Sequence, residues 1–357
     1  MRGARSLAPF AVFAAVALAL ELSLPRVVAD SSVRQLLMLG GVNVLIALSL
    51  NVINGMAGQF SIGQAGFVGV GAYASAVVVA NLQARFPGDL SLARSLWLVP
   101  LGVLSGASAS ALFGVLVGLP SLRLRGDYLA IVTLGFAEIF RLLISTAAAT
   151  DTGGLTSLLA KLGGQNGYAG PNELGVPQIA GPFWVFFAVM SVTLLALRLK
   201  FSGWGRALRA LREDEIAAAA VGVDPTRYKV TSFVISAFGA GLAGGLLSIM
   251  RDGSPITQPD NFSFQTSFDA ITMVILGGSG SVSGSILGAI FVTFTIKLIE
   301  LLQSTDAVQA IKASHEWLDL NALRMVVYAG VLIAVMILRP EGLLGERELF
   351  QRGARGR

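Results

Sequence analysis

Ten apolar segments joined by short polar stretches constrain this chain more than any other feature. They lie at about Leu7–Leu24, Gln35–Asn54, Gln64–Leu82, Leu96–Leu119, Tyr128–Thr146, Pro182–Leu199, Thr231–Met250, Ser267–Leu276, Ser285–Leu302 and Leu323–Leu338. Most approach the roughly 20 residues that carry a helix across a hydrocarbon core of about 30 Å, where backbone groups must satisfy one another. Composition agrees, with 54% of residues hydrophobic and 13% charged, against roughly 25% charged in an ordinary soluble domain. The expected architecture is all-α, a polytopic membrane protein of about ten transmembrane helices, with residues 1–357 forming one transmembrane domain. Ser267–Leu276 is too short to cross unaided, so a half helix or an earlier start is expected there.

The distribution of Lys and Arg sets the orientation. With the N-terminus inside, the inside stretches carry 16 basic residues: Arg2, Arg5, Arg123, Arg125, seven from Arg198 to Lys229 and five from Arg339 to Arg357. The outside stretches carry 7, at Arg26, Arg34, Arg85, Arg94, Lys161, Arg251 and Lys312, so both termini are expected to be inside. A second reading of the first segment stays open. Arg2 and Arg5, the apolar run Leu7–Leu20 and the sequence Val27-Val28-Ala29 also fit a cleaved secretory signal, whose removal leaves the other nine spans oriented as before.

Two glycine-rich runs interrupt the apolar pattern, Gly55 to Gly71 and Gly277 to Gly288. Small residues let helices approach closely or let a chain break inside a bundle. Gly55, Gly58, Gly63, Gly277, Gly278, Gly280 and Gly284 are therefore assigned to helix breaks or close packing, and the two runs are candidates for the halves of an internal repeat. Beside the first run, Asn51, Asn54, Gln59, Ser61 and Gln64 place hydrogen-bonding side chains between apolar spans, where an unsatisfied polar group is expensive. They are expected to line a hydrated translocation path or a helix break. No GxxxxGK[ST] sequence accompanies the glycines, which excludes ATP binding by such a loop.

Ionisable residues within the spans are few. Glu138 and Arg141 are three apart on one helix face, where they form either a structural ion pair or an element of the path. Glu21, Lys297 and Glu300 lie near segment ends and read as interface anchors. Asp269 lies near an outer mouth, and His315 lies in Gln303–Asn321, which reads as an amphipathic surface helix. The chain has no Cys and one His, so disulfides and thiol chemistry are excluded and no metal site is expected.

One charged island stands out from Gly205 to Lys229. Between Arg206 and Ala220 its Ala, Leu, Arg and Glu favour a helix, with Arg209 and Glu213 spaced as an i,i+4 pair. Gly222, Asp224 and Pro225 then turn the chain, which re-enters the membrane near Thr231. The topology rule accounts for the arginines but not for the run Ala217–Ala220, whose small side chains suit insertion into a partner's groove.

The island, with Glu215, Ala217, Ala218 and Gly222, resembles the cytoplasmic coupling loop of ABC-importer permeases, and its long form resembles that of the branched-chain amino-acid permease family. NVINGMAGQFSIGQAGFVGVGAYASA from Asn51, LRGDYLAIVTLGFAEIFRLL from Leu124, TGG from Thr152, LGGSGSVSGSILGA from Leu276 and RPEGLLG from Arg339 are similar to the same family in the same order. The prolonged N-terminus and the RPEGLLG tail look like the larger of its two permease types. Leu155-Thr156-Ser157-Leu158 after TGG depart from the family pattern of a polar residue and Gly-Leu, which touches the outer contact and the substrate.

The resemblance implies a permease subunit in a bacterial inner membrane that binds no cofactor itself. Its partners would be a second homologous permease, two cytoplasmic ATPases that bind the ATP, an external solute-binding protein and the surrounding lipid; no nucleic acid is expected. Within residues 200–230, Arg209, Arg212, Glu213, Asp214, Glu215, Ala218, Ala219 and Gly222 would couple to the ATPases. The implied cargo is a branched-chain or other apolar amino acid, with urea or a short amide as the alternative. From another class, a stand-alone secondary transporter using Glu138 or Asp269 for protons needs no such loop, and an intramembrane enzyme would have only carboxylates to work with.

Overall fold

The computed structural model describes residues 2–28, 30–86, 88, 92–121, 127–147, 160–171, 175–303, 326, 329–330, 333–334, 337–339, 342–345 and 347–349. Its helices are α1 (Arg2–Val27), α2 (Ser31–Asn51) ending in a π turn (Val52–Met56), α3 (Gln64–Arg85), α4 (Leu92–Ser121) and α5 (Asp127–Ala147). They continue with α6 (Pro182–Phe201), α7 (Gly203–Glu213), α8 (Glu215–Ala220), α9 (Pro225–Ser248), α10 (Phe264–Gly277) and α11 (Val282–Gln303). Among the described residues extended structure is limited to two isolated bridges, Tyr168 with Thr257 and Ala180 with Met250. The protein is all-α and polytopic, and eight of the described helices are long and apolar enough to cross a membrane.

Those eight match eight of the expected segments. The ninth is α10, whose 14 residues rise about 21 Å, short of a full crossing, as its length in the sequence predicts. Most of Leu323–Leu338 and of Gln303–Asn321 with His315 lies outside the described residues.

Glycine makes the centre of the bundle. A Cβ on Gly71 would run into the backbone of Gly241, and one on Gly106 into the carbonyl of Gly71, so α3, α4 and α9 meet backbone to backbone. Hydroxyls tie the same helices, Ser110 Oγ donating to the Phe67 carbonyl (2.7 Å) and Ser75 Oγ to that of Gly245 (3.3 Å). Outward, Leu101, Leu104, Leu112 and Leu116 of α4 are exposed and form an apolar surface of the kind lipid covers.

The turn expected at Gly222–Pro225 is present, and the helix that leads on through Thr231 begins at Pro225. Asp224 accepts from the Arg227 amide (3.2 Å) and Pro225 occupies the first helical position, so the pair starts α9. Glu21 is not a headgroup anchor. Its carboxylate accepts from the Phe183 amide (2.9 Å) at the start of α6 and pairs with Arg251 (2.8 Å), binding α1 to the bundle through an orphan helix-start amide and an ion pair.

Candidate functional site

Each glycine run contains a helix break, the rest of it packing inside a helix, and the two breaks meet. After Asn51 the helix widens to a π turn, Gly58 takes a left-handed conformation (φ 66°), and the chain turns back before α3 starts. Gln64, at the start of α3, donates from Nε2 to Ser49 Oγ (2.7 Å) and to the Ile46 carbonyl (3.4 Å). Ile46 precedes Met56 by about 15 Å along α2, so α3 begins inside the bundle. The second break lies between α10 and α11, where Gly278 and Gly280 have φ of 116° and 84°. Gly277 and Gly284 face one another so closely that a Cβ on either would enter the other's carbonyl.

Asn51 fastens the breaks together. Fully buried, it accepts from the Gly280 amide (2.8 Å) and donates to the Ser281 carbonyl (3.2 Å). Asn54 does the same within the first break, accepting from the Ser61 amide (3.1 Å) and donating to its carbonyl (3.3 Å). Both side chains are thus spent on backbone groups that the breaks release. Gln59 is buried, its backbone N–H bonded to the Ile53 carbonyl (3.0 Å). Gly63 lies against the Thr133 backbone, while Ser61 Oγ and Gln64 Oε1 are buried without a partner.

The charged island folds as two helices, correcting the single helix expected from Arg206 to Ala220. Asp214 leaves the helical conformation and accepts from the amides of Ile216 (2.8 Å) and Ala217 (3.0 Å), ending α7 and capping α8. Helix α7 buries Gly205, Leu208 and Leu211 on one face. Arg209 donates to the Lys200 carbonyl (3.3 Å), and Glu213 is exposed. Arg212 Nη1 donates to the Gly55 carbonyl (2.9 Å). A Cβ on Gly280 would stand 3.1 Å from Arg212 Nη1, and one on Gly58 2.6 Å from Arg212 Cγ, so the Arg212 side chain lies beside both breaks. A cavity of about 40 Å³ lies here, lined by Gly55, Lys200, Arg209, Arg212 and Gly280 among others.

Helix α8 turns outward. Glu215 pairs with Lys229 across the loop and Ala218 is buried, whereas Ala217, Ala219 and Ala220 are exposed. Ile216 and Val221 are 83% and 79% exposed in a segment flanked by charges. Gly222 ends the turn at φ 89°, a conformation other residues adopt only with strain. The apolar pair Ile216 and Val221 was legible as two large side chains within an acidic and basic stretch, and the sequence reading passed over it.

The C-terminal tail closes the second break, a role the sequence reading missed. The Leu343 and Leu344 amides donate to the Leu276 (2.8 Å) and Gly277 (3.2 Å) carbonyls, satisfying the end of α10. Glu348 accepts from the Val282 and Ser283 amides (both 2.8 Å) at the start of α11, accepts from Ser283 Oγ, and pairs with Lys200 at the end of α6. Burial raises the pKa of this carboxyl, but Lys200, the Ser283 hydroxyl and the two amides outweigh that and hold it below the ordinary glutamate value. The tail thus ties the end of α6 to the break.

Farther along the bundle, Arg141 donates from Nε to Glu138 (2.9 Å) and from Nη1 to Asp260 (3.1 Å). Glu138 also accepts from the Phe264 amide (3.0 Å), capping α10 from another helix. Among the described residues no group of three or more His, Asp or Glu could hold a metal ion.

A family model described as "Branched-chain amino acid transport system / permease component" matches residues 32–336. The chain is 34% identical to the high-affinity branched-chain amino acid transport system permease protein LivM of Salmonella typhimurium, over 84% of this chain and 67% of that protein. It is 33% identical to LivM of Escherichia coli K12, over the same shares. LivH of Salmonella typhimurium is 24% identical, over 87% of this chain and 94% of its own length. No solved structure matches. The family model over most of the chain and the LivM relatives show that the chain belongs to the branched-chain amino acid permease family, in its larger, LivM type.

Proposed function

We propose that this chain is one permease subunit of an ATP-driven importer in a bacterial inner membrane, with both termini cytoplasmic. It works beside a second, homologous permease, and two cytoplasmic ATPases dock on the loop of residues 200–230. An external solute-binding protein delivers a branched-chain or other apolar amino acid. ATP is bound by the ATPases, and this chain carries no cofactor.

The observation that carries this reading is Arg212, which lies in the loop yet bonds the Gly55 carbonyl and lies beside Gly280. A displacement of α7 therefore reaches both breaks at once, and α2, α3, α10 and α11 reorient about them. Ile216, Val221 and the exposed alanines of α8 supply the apolar surface on which an ATPase seats, Glu213, Asp214, Glu215, Ala218, Ala219 and Gly222 give that surface its shape, and Arg209 ties it to Lys200. The path runs along α5 and α10. Glu138 and Arg141 lie about 15 to 20 Å along α5 from Tyr128, and are 28% and 25% exposed. Exposed charge at that depth faces water or protein, never lipid. Asn51, Asn54, Gln59, Ser61 and Gln64 belong to the moving wall of this path, and Gly55, Gly58, Gly63, Gly277, Gly278, Gly280 and Gly284 to its hinges.

The test is purification of the tagged chain from its native cells in mild detergent, with mass spectrometry of what accompanies it. Two ATPases and a second permease support the importer. The chain alone, under conditions that keep a known ABC complex whole, overturns it.

A further inference from the structure

The cluster on α5 and α10 does more than neutralise itself. Arg141 joins two carboxylates of different standing. Glu138 is held by the guanidinium and by the Phe264 amide, so it is fixed. Asp260 is 67% exposed, lies in the short turn Pro259–Phe262, and holds Arg141 through Nη1 at 3.1 Å. Beside them Phe264 and Phe268, one helical turn apart on α10, are both exposed, with ring centroids 4.3 Å apart. The amide bonded to Glu138 is that of Phe264, so the aromatic pair and the charges share one corner.

We propose that Arg141, Asp260, Phe264 and Phe268 form the site in the path that receives a zwitterionic α-amino acid with an apolar side chain; this rests on the importer reading above. The substrate carboxylate takes the guanidinium edge that Asp260 now occupies, with the planar two-donor geometry such pairs favour. Asp260, released, accepts from the substrate ammonium, so one ion pair is exchanged for two and no charge is left alone. Glu138 stays on Arg141 and keeps the guanidinium in place, and the side chain of the substrate lies on the two rings. A neutral solute such as urea carries neither charge and has nothing to exchange for the Arg141–Asp260 pair. The charge pattern therefore selects among the family's small polar cargoes, which the amides near the first break do not.

The test uses the whole complex, reconstituted with its ATPases, partner permease and leucine-loaded binding protein. Asp260→Asn is the main variant, because Asp260 is exposed and outside the long helices, and Asp260→Glu is its rescue. The expected result is a fall of about tenfold or more in maximal leucine uptake for Asp260→Asn, with more ATP spent per leucine. The concentration of loaded binding protein giving half-maximal rate stays unmoved, and Asp260→Glu recovers most of the uptake. Asp260→Glu impaired as much as Asp260→Asn marks a structural role for this turn and overturns the proposal. Wild-type uptake and wild-type ATP per leucine in Asp260→Asn overturn the proposal while leaving the importer intact. A wild-type complex that imports urea under ATP and not leucine overturns it too. Failure of the wild type to import any solute under ATP fails the importer reading itself, and this site with it.

Discussion

Replacing Glu348 with Gln removes one charge from a pair that is almost dry, the two side chains being 9% and 3% exposed for Lys200 and Glu348. Breaking a buried pair from one side costs about 3–5 kcal/mol. The lower end applies here, since the glutamine carbonyl still accepts from the Val282 or Ser283 amide. At about 1.4 kcal/mol per tenfold, a loss of roughly 3 kcal/mol raises the population of released tail about 150-fold. Amide hydrogen exchange reads this directly. The Leu343 and Leu344 amides are closed by the Leu276 and Gly277 carbonyls and open when the tail leaves. Their exchange should accelerate by about two orders of magnitude in Glu348→Gln, with amides in the middle of α9 unaffected. Unaltered exchange at Leu343 and Leu344 would refute the claim that this carboxylate holds the tail.

Three further outcomes are expected. The same amides should keep their protection from pH 8 down to about pH 5 and lose it only as pH falls below the ordinary glutamate range near 4.3. A carboxyl whose folded pKa is depressed stabilises above its unfolded value and loses that contribution as it protonates; exchange at stepped pH checks this. Ile216→Asp, at a side chain that touches solvent, should weaken ATPase binding by about thirtyfold or more, the value of a 2 kcal/mol hot spot, while leaving the thermal transition in place; titration of the purified permease pair with the ATPase measures it. Gly277→Val places a branched side chain in the Gly284 carbonyl and should cost several kcal/mol, seen as a lowered melting temperature in detergent.

How much of this was legible depends on whether a feature is local. Hydropathy located eight long spans and the shortness of α10, because burial in lipid writes itself into consecutive residues. The glycines marked both places but left a break and close packing as alternatives; the left-handed conformations at Gly58, Gly278 and Gly280, which few other residues tolerate, appear only in the structure. That the breaks are fastened to each other by Asn51 was not legible, for its partners Gly280 and Ser281 lie about 230 residues away. Glu348 and Asp260 were missed for the same reason: an ion pair across the chain leaves no periodicity. Asp214 differs: it carries a local signature of a helix start, and its capping chemistry overrides the helix propensity that runs from Arg206 to Ala220.

The central claim, that movement of the loop driven by ATP opens the breaks for import, is tested most directly in proteoliposomes holding the whole complex. Leucine uptake from the binding-protein side is measured with ATP on the ATPase side and the proton gradient collapsed, and again with the gradient intact and ATP absent. The account predicts uptake in the first condition and none in the second. Uptake that follows the gradient and ignores ATP would contradict it.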